Sequence, residues 1–281
     1  MRPLGRFLRQ PKHFWANIRS ISQEVGYTDK HQRIKVPTSQ EIASAVGRIG
    51  LTSSHLIDDQ ARLTSLSDSV RSYFAYRGQV LNAHVRPRLM DAASAKRAFQ
   101  ELRRNLRPRC PLPMNKQKGE KKAPAYLTGI INMLIERDAP GFACEYDPRK
   151  LTTIIRDGAP LRTLARRVDG AFPSTVNPVA VWEAKEYYYT TTFGSRVADG
   201  VYESLLDGME LEELREHEGI DVKHYLMVDG RYTWWECGRS YLCRLVDMLH
   251  MGYVDEVLFG REVLERLPEI VRTWVRAARS T

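Results

Sequence analysis

The stretch that decides the reading is Arg166-Arg167-Val168-Asp169-Gly170, followed after a short connection by Val179-Ala180-Val181-Trp182-Glu183-Ala184-Lys185. The second part is a β-type run. In a strand, residues i and i+2 share a face, so Glu183 and Lys185 project together. Asp169 stands fourteen positions before Glu183, and a segment over 163–172 paired beside the strand would bring it to the same spot. An aspartate, a glutamate and a lysine converging in this way suit a hard divalent cation and the attack of water on a phosphodiester. Val179–Trp182 reads as buried on both faces, and a charged pair at the end of such a strand is costly unless paired or metal-bound. The alternative is an exposed strand that merely alternates Glu and Lys.

Working outward, the neighbouring runs Phe142–Tyr146, Leu151–Ile155 and Leu164–Ala171 are short and β-like, with turn signals at Asp157-Gly158 and Asn177-Pro178. The run at Val179 extends to Tyr189. Downstream, the pattern predicts a helix over about 195–217, interrupted or weakened at Gly200 and Gly208, then a strand over Val222–Val228. Asp229-Gly230 predicts a two-residue hairpin into a strand over Arg231–Trp235. Helices follow over about 239–251 and 261–277. Upstream, residues 37–107 are helical in period. Thr38 and Glu41 form a capping-box signature, a second helix runs from Ser67-Asp68 to before Pro87, and a third from Asp91 to Asn105. Residues 108–124 read as a loop carrying Lys116, Lys118, Glu120 and Lys121, before a helix from Pro124 to about Arg137.

Charge divides the 281-residue chain. Residues 1–125 hold 24 Lys+Arg against 9 Asp+Glu, a net of +15, whereas residues 126–281 hold 19 against 25, a net of −6. A basic front half suits a polyanion, and a carboxylate-bearing back half suits another purpose. Arg97, Arg103, Arg104, Arg107 and Arg109 cluster on and after the third helix, where they suit phosphates or form a solvated cationic face. No apolar run approaches the roughly 18 residues of a membrane helix. The four cysteines do not suggest a disulfide scaffold, and a reduced cytoplasm fits them.

The order helix, strands, helix, strand, with Asp169, Glu183 and Lys185 on successive central strands, resembles the restriction-endonuclease-like superfamily, the PD-(D/E)XK nucleases. The resemblance covers roughly residues 115–235. It implies an α/β fold with a mixed central β-sheet flanked by helices. The nuclease core would span 111–281, behind a basic, mainly helical DNA-binding or dimerisation region over 1–110. Carried over residue by residue, Asp169 and Glu183 would ligate Mg²⁺, for which Mn²⁺ could substitute, and Lys185 would position the attacking water. Val168 stands where the family's motif has proline. The family often adds an acid on the preceding helix, for which Glu120 is the candidate and Glu136 the rival. Glu186, directly after the lysine, falls on the opposite face. Arg196, Lys116, Lys118 and Lys121 are the expected DNA contacts. The implied protein is a cytoplasmic, homodimeric, type II-like restriction endonuclease acting on double-stranded DNA. The alternatives are a defence or repair nuclease of low sequence specificity and a non-cleaving DNA-binding protein.

Other features weigh less. The acid-free start, residues 1–23, reads as an arm or short helix lying on DNA or the main body, or as a transit segment. Thr192 or Ser195 is expected to cap the 195–217 helix. Trp234-Trp235 suits base stacking or a half-core, half-interface position. Cys237, Cys243 and His250 do not have the spacing of a zinc finger.

Overall fold

The computed structural model describes residues 1–8, 10–52, 54–56, 64–115, 123–189 and 194–280. The elements in order are α1 (Gly5–Leu8), α2 (Lys12–Val25), α3 (Ser39–Arg48), α4 (Ser65–Gln79), α5 (Ala92–Leu106) and α6 (Tyr126–Asp138). Then come β1 (Glu145–Tyr146), β2 (Thr153–Arg156), β3 (Ala159–Thr163), β4 (Gly170–Phe172), β5 (Ala180–Glu186), α7 (Ser195–Glu218), β6 (Lys223–Asp229), α8 (Arg239–Met251), β7 (Glu256–Phe259) and α9 (Glu262–Ser280).

Five strands form a mixed sheet in the order β1-β4-β5-β6-β7. β1, β4 and β5 are antiparallel neighbours, while β5, β6 and β7 run parallel. A separate two-stranded hairpin, β2–β3, turns at Asp157-Gly158. The parallel half has helices on both faces, as parallel strands require. On one face Trp182, Tyr225 and Met227 pack under α6 and α9, and Trp182 stacks on Trp274 with ring centroids 5.5 Å apart. On the other, Leu226 and Val228 pack under α8, and Val181 packs with Leu211 and Leu214 of α7. The sequence expectation of a mixed α/β sheet flanked by helices holds.

The N-terminal segment forms helices lying on the main body, one of the alternatives that the sequence offered. Phe14, Trp15, Ile18 and Ile21 of α2 are buried against Val70, Tyr73 and Phe74 of α4. At roughly 1.5–3 kcal/mol per buried large apolar side chain, this layer is core. It is tied to the sheet domain by a buried ion pair, Arg77 Nη1 to Asp247 Oδ2 at 3.0 Å, and by Tyr73 Oη donating to Asp247 Oδ1 at 2.6 Å. The Thr38–Glu41 capping box forms as its signature predicts. So does the third helix, capped by the Asp91 carboxylate on the Ser94 N–H.

Several local expectations fail, among them the strand over Phe142–Tyr146, which shrinks to Glu145–Tyr146. The Asp229-Gly230 hairpin does not form: the Asp229 carboxylate accepts from Met90 N, Gly230 N and Tyr188 Oη, tying β6 to the segment before α5. The chain then enters a π-helical turn, Tyr232–Cys237, which buries Trp234 and Trp235 completely or nearly so. That burial removes the base-stacking role. The expected strand over Leu164–Ala171 shrinks to Gly170–Phe172. Finally, α7 is continuous through Gly200 and Gly208. A Cβ at Gly208 would lie 2.3 Å from Tyr253 O, so this glycine admits a close crossing.

Candidate active site

Asp169, Glu183 and Lys185 meet as the sequence expects. Gly170 pairs with Trp182 across β4–β5, which sets Asp169 beside Glu183. Only glycine fits at 170, because a Cβ there would stand 2.0 Å from the Trp182 ring. The Asp169 N–H donates to Glu183 Oε1 at 3.1 Å, and Asp169 Oδ2 accepts from Ala184 N at 2.8 Å. Lys185 Nζ donates to Glu183 Oε2 at 2.7 Å. Glu183 is wholly buried and Lys185 is 6% exposed. A Cβ at Gly200 would lie 2.9 Å from Tyr187 Oη and 3.4 Å from Lys185 Cδ, so that glycine lets α7 press onto the lysine.

Sequence reasoning missed three members of the centre. Arg166 Nη1 reaches Glu183 Oε1 at 3.0 Å and Asp207 Oδ2 at 2.6 Å. Glu203 Oε2 accepts from Lys185 Nζ at 3.2 Å and lies 3.4 Å from Arg166 Nη2. Asp207 is wholly buried, and its Oδ1 has no hydrogen-bond partner among the described residues. A signal for the two acids existed: Gly200, Glu203 and Asp207 follow the i, i+3, i+7 spacing of one helix face.

The electrostatics follow from crowding. Four carboxylates (Asp169, Glu183, Glu203, Asp207) face two cations (Arg166, Lys185), so full ionisation leaves an excess of two negative charges. Burial and the Glu183 charge push Asp169 up to about 6 and Asp207 up to about 7. Burial pushes Glu183 upward too, but the Lys185 and Arg166 charges win and hold it below the usual carboxylate range. Burial works against the charge on Lys185, and Glu183 and Asp169 outweigh it, so its pKa is raised. The ammonium is therefore a fixed cation.

The donor set is all carboxylate oxygen, the type that Mg²⁺ prefers, and the unpaired Asp207 Oδ1 and the charge excess both fit a divalent cation. Among the described residues, however, no three His, Cys, Asp or Glu side chains stand ready-made around a metal position. Arg166 and Lys185 take up the carboxylate lone pairs instead.

Glu120, Lys116, Lys118 and Lys121 lie outside the described residues, as does Thr192. Glu136 is not at the centre: its carboxylate accepts from Arg109 N at the far end of α6. Arg196 is exposed in the first turn of α7, one turn before Gly200. Ser195 does not cap that helix, whose N-cap position is Gly194 without a side-chain bond. Glu186 sits on the opposite face, where Thr128 N and Oγ1 donate to its Oε2 at 3.0 and 3.1 Å. Cys243 and His250 are buried and Cys237 is exposed, and His250 Nδ1 contacts its own helix at Val246 O. These three make no metal site.

A domain family of unknown function, DUF7687, matches residues 90–274, and the chain belongs to it. A second domain of unknown function, DUF7690, matches residues 1–84. No curated protein and no solved structure matches the chain.

Proposed function

We propose that this chain is a Mg²⁺-dependent endodeoxyribonuclease of the restriction-endonuclease-like type. The observation that carries the reading is the buried Glu183–Lys185 pair on β5, with Asp169 locked beside it just before β4. Charges buried this deeply in a strand are costly to keep, and a purely structural role would be met more cheaply by apolar side chains. Asp169 and Glu183 would hold the metal, and the partnerless oxygen of Asp207 makes it the third carboxylate in place of Glu120 or Glu136. Bound there, Mg²⁺ would acidify water and neutralise charge at the phosphate.

The chain's own groups have separable tasks. Lys185, kept charged by Glu183, offers its ammonium to the attacking water or to a phosphate oxygen. Arg166 holds Glu183 and Asp207 in place and is a bidentate donor suited to phosphate once those carboxylates turn to a metal. Lys96, Arg97, Arg103, Arg104 and Arg107, exposed on and just after α5, supply the sequence-independent attraction for the DNA backbone. Site-specific cutting of both strands by a subunit with one centre calls for a homodimer. Incubating plasmid with Mg²⁺ separates the versions of this reading. Discrete fragments indicate a type II-like enzyme, and a smear or nicking indicates a nuclease of low specificity.

A second reading is a DNA-binding protein that does not cut. It is favoured by one observation, the saturation of Glu183 by Arg166 and Lys185. A salt-sensitive gel shift with no cleavage under Mg²⁺ or Mn²⁺ would select it.

A further inference from the structure

A second feature lies on the other side of α7. There, a cleft of about 450 Å³ opens between α2, α7 and α8, lined by Arg19, Gln23, Tyr27, Tyr202, Leu205 and Arg244 among others. Its volume falls within the roughly 300–1,000 Å³ of small-molecule sites. It joins the part of the chain matched by one domain family to the part matched by the other.

The cleft is built around Arg244. Its Nη1 donates to Tyr202 Oη at 2.8 Å, and its guanidinium carbon lies 4.8 Å from the Tyr241 ring centre and 5.9 Å from that of Tyr27. Arg19 reaches the sulfur of Met251. Among the described residues, neither guanidinium has a carboxylate within ion-pair distance. The one acid that lines the cleft, Asp247, is committed to Arg77 and Tyr73. A half-buried arginine held by tyrosines and short of an anion is a desolvated cation awaiting one.

We infer that this cleft binds a nucleoside phosphate, with Arg244 and Arg19 on the phosphate and the exposed ring of Tyr202 on the base. The charge calls for an anion, and guanidinium forks match phosphate oxygens. The exposed Tyr202 ring and the half-buried Leu205 on the cleft floor would be left uncovered by a bare ion, whereas a base stacks on an aromatic face. The exposed Gln23 amide, on the rim, can donate to and accept from a base edge. The phosphate could belong to a free nucleotide or to a nucleic-acid end; the chemistry is shared. The site is independent of the nuclease reading, although α7 carries Glu203 and Asp207 on its opposite face.

Calorimetry with the full-length chain in EDTA, so that no phosphodiester chemistry intervenes, tests the inference. The probes are AMP, GMP, CMP, UMP, the matching nucleosides, inorganic phosphate and a 5′-phosphorylated oligothymidylate. At least one mononucleotide or the oligonucleotide should bind one per chain, at least tenfold tighter than nucleoside or phosphate alone. Tighter binding of the mononucleotide identifies a free-nucleotide site, and tighter binding of the oligonucleotide an end-binding site. Arg244→Gln should weaken binding at least tenfold with an unchanged circular-dichroism spectrum. If that variant does not fold, the exposed Arg19→Gln carries the same expectation at three- to tenfold. Failure of every probe to bind, or undiminished affinity in the folded variants, would overturn the proposal.

Discussion

Arg166 Nη1 stands 2.6 Å from Asp207 Oδ2, so the guanidinium of a loop residue before β4 is clamped to a wholly buried carboxylate on α7. The same guanidinium also holds Glu183. A cation thus already fills part of the space between the acids, and under the proposed function a metal ion would have to compete with it.

Removing Arg166 leaves two buried carboxylates short of a partner, which costs about 3–5 kcal/mol for such pairs. Arg166→Ala should therefore lower the urea midpoint strongly in EDTA. Millimolar Mg²⁺ should restore part of the loss and raise the variant's Tm more than it raises that of the wild type. Equal Mg²⁺ responses in the two proteins would show that Arg166 and the metal do not share those carboxylates.

The Arg77–Asp247 pair binds the N-terminal helices to the sheet domain. Asp247→Ala strands the buried Arg77 and one Tyr73 hydroxyl, with an expected cost of about 3–5 kcal/mol. Because Leu81, Val85 and Leu89 share a core with β6, β7 and α8, urea unfolding should remain one transition, displaced as a whole. Two resolved transitions in the wild type would contradict this.

Stability should also depend on pH through Glu186. Burial pushes its carboxyl up to about 7, the Thr128 donors notwithstanding, and Asp229 is likewise raised to about 7 by burial. Both ordinary values lie near 4. The folded state therefore binds these protons more tightly than the unfolded one. The resulting stability is complete below about pH 4 and fades as pH climbs through 7. Glu186→Gln keeps the acceptor for Thr128 and removes the charge, so its Tm should fall less between pH 5 and 8 than that of the wild type. Identical slopes would place the titration elsewhere.

Much of this was legible in the chain because it is local. The Glu-x-Lys alternation of β5 is a two-residue periodicity, the Thr38–Glu41 box spans one turn, and α6, α7 and α8 follow apolar spacings that packing did not overrule. What escaped was set at a distance. β7, only Glu256–Phe259, is a fully buried parallel strand too short to show a period. The Asp229-Gly230 turn signal was overridden because Asp229 bonds to Met90, and Trp234 and Trp235 gain more from burial in a helical turn than from a strand. Arg166, Glu203 and Asp207 belong to the centre only because Gly200 and Gly208 let a long helix lie close to β5 and the segment before β7.

Under the proposed function, Lys185 and the carboxylates around it cut DNA. Supercoiled plasmid should be linearised or fragmented by the wild type with 5–10 mM Mg²⁺ (about the usual assay range) and left intact in EDTA. Asp169→Ala and Lys185→Ala should each reduce the rate at least about a hundredfold, the order expected for losing one preorganised charge at a developing phosphate charge, while gel shifts in EDTA show DNA still bound. Wild-type rates in both variants, or plasmid left intact by the wild type under Mg²⁺ and Mn²⁺ alike, would contradict the account.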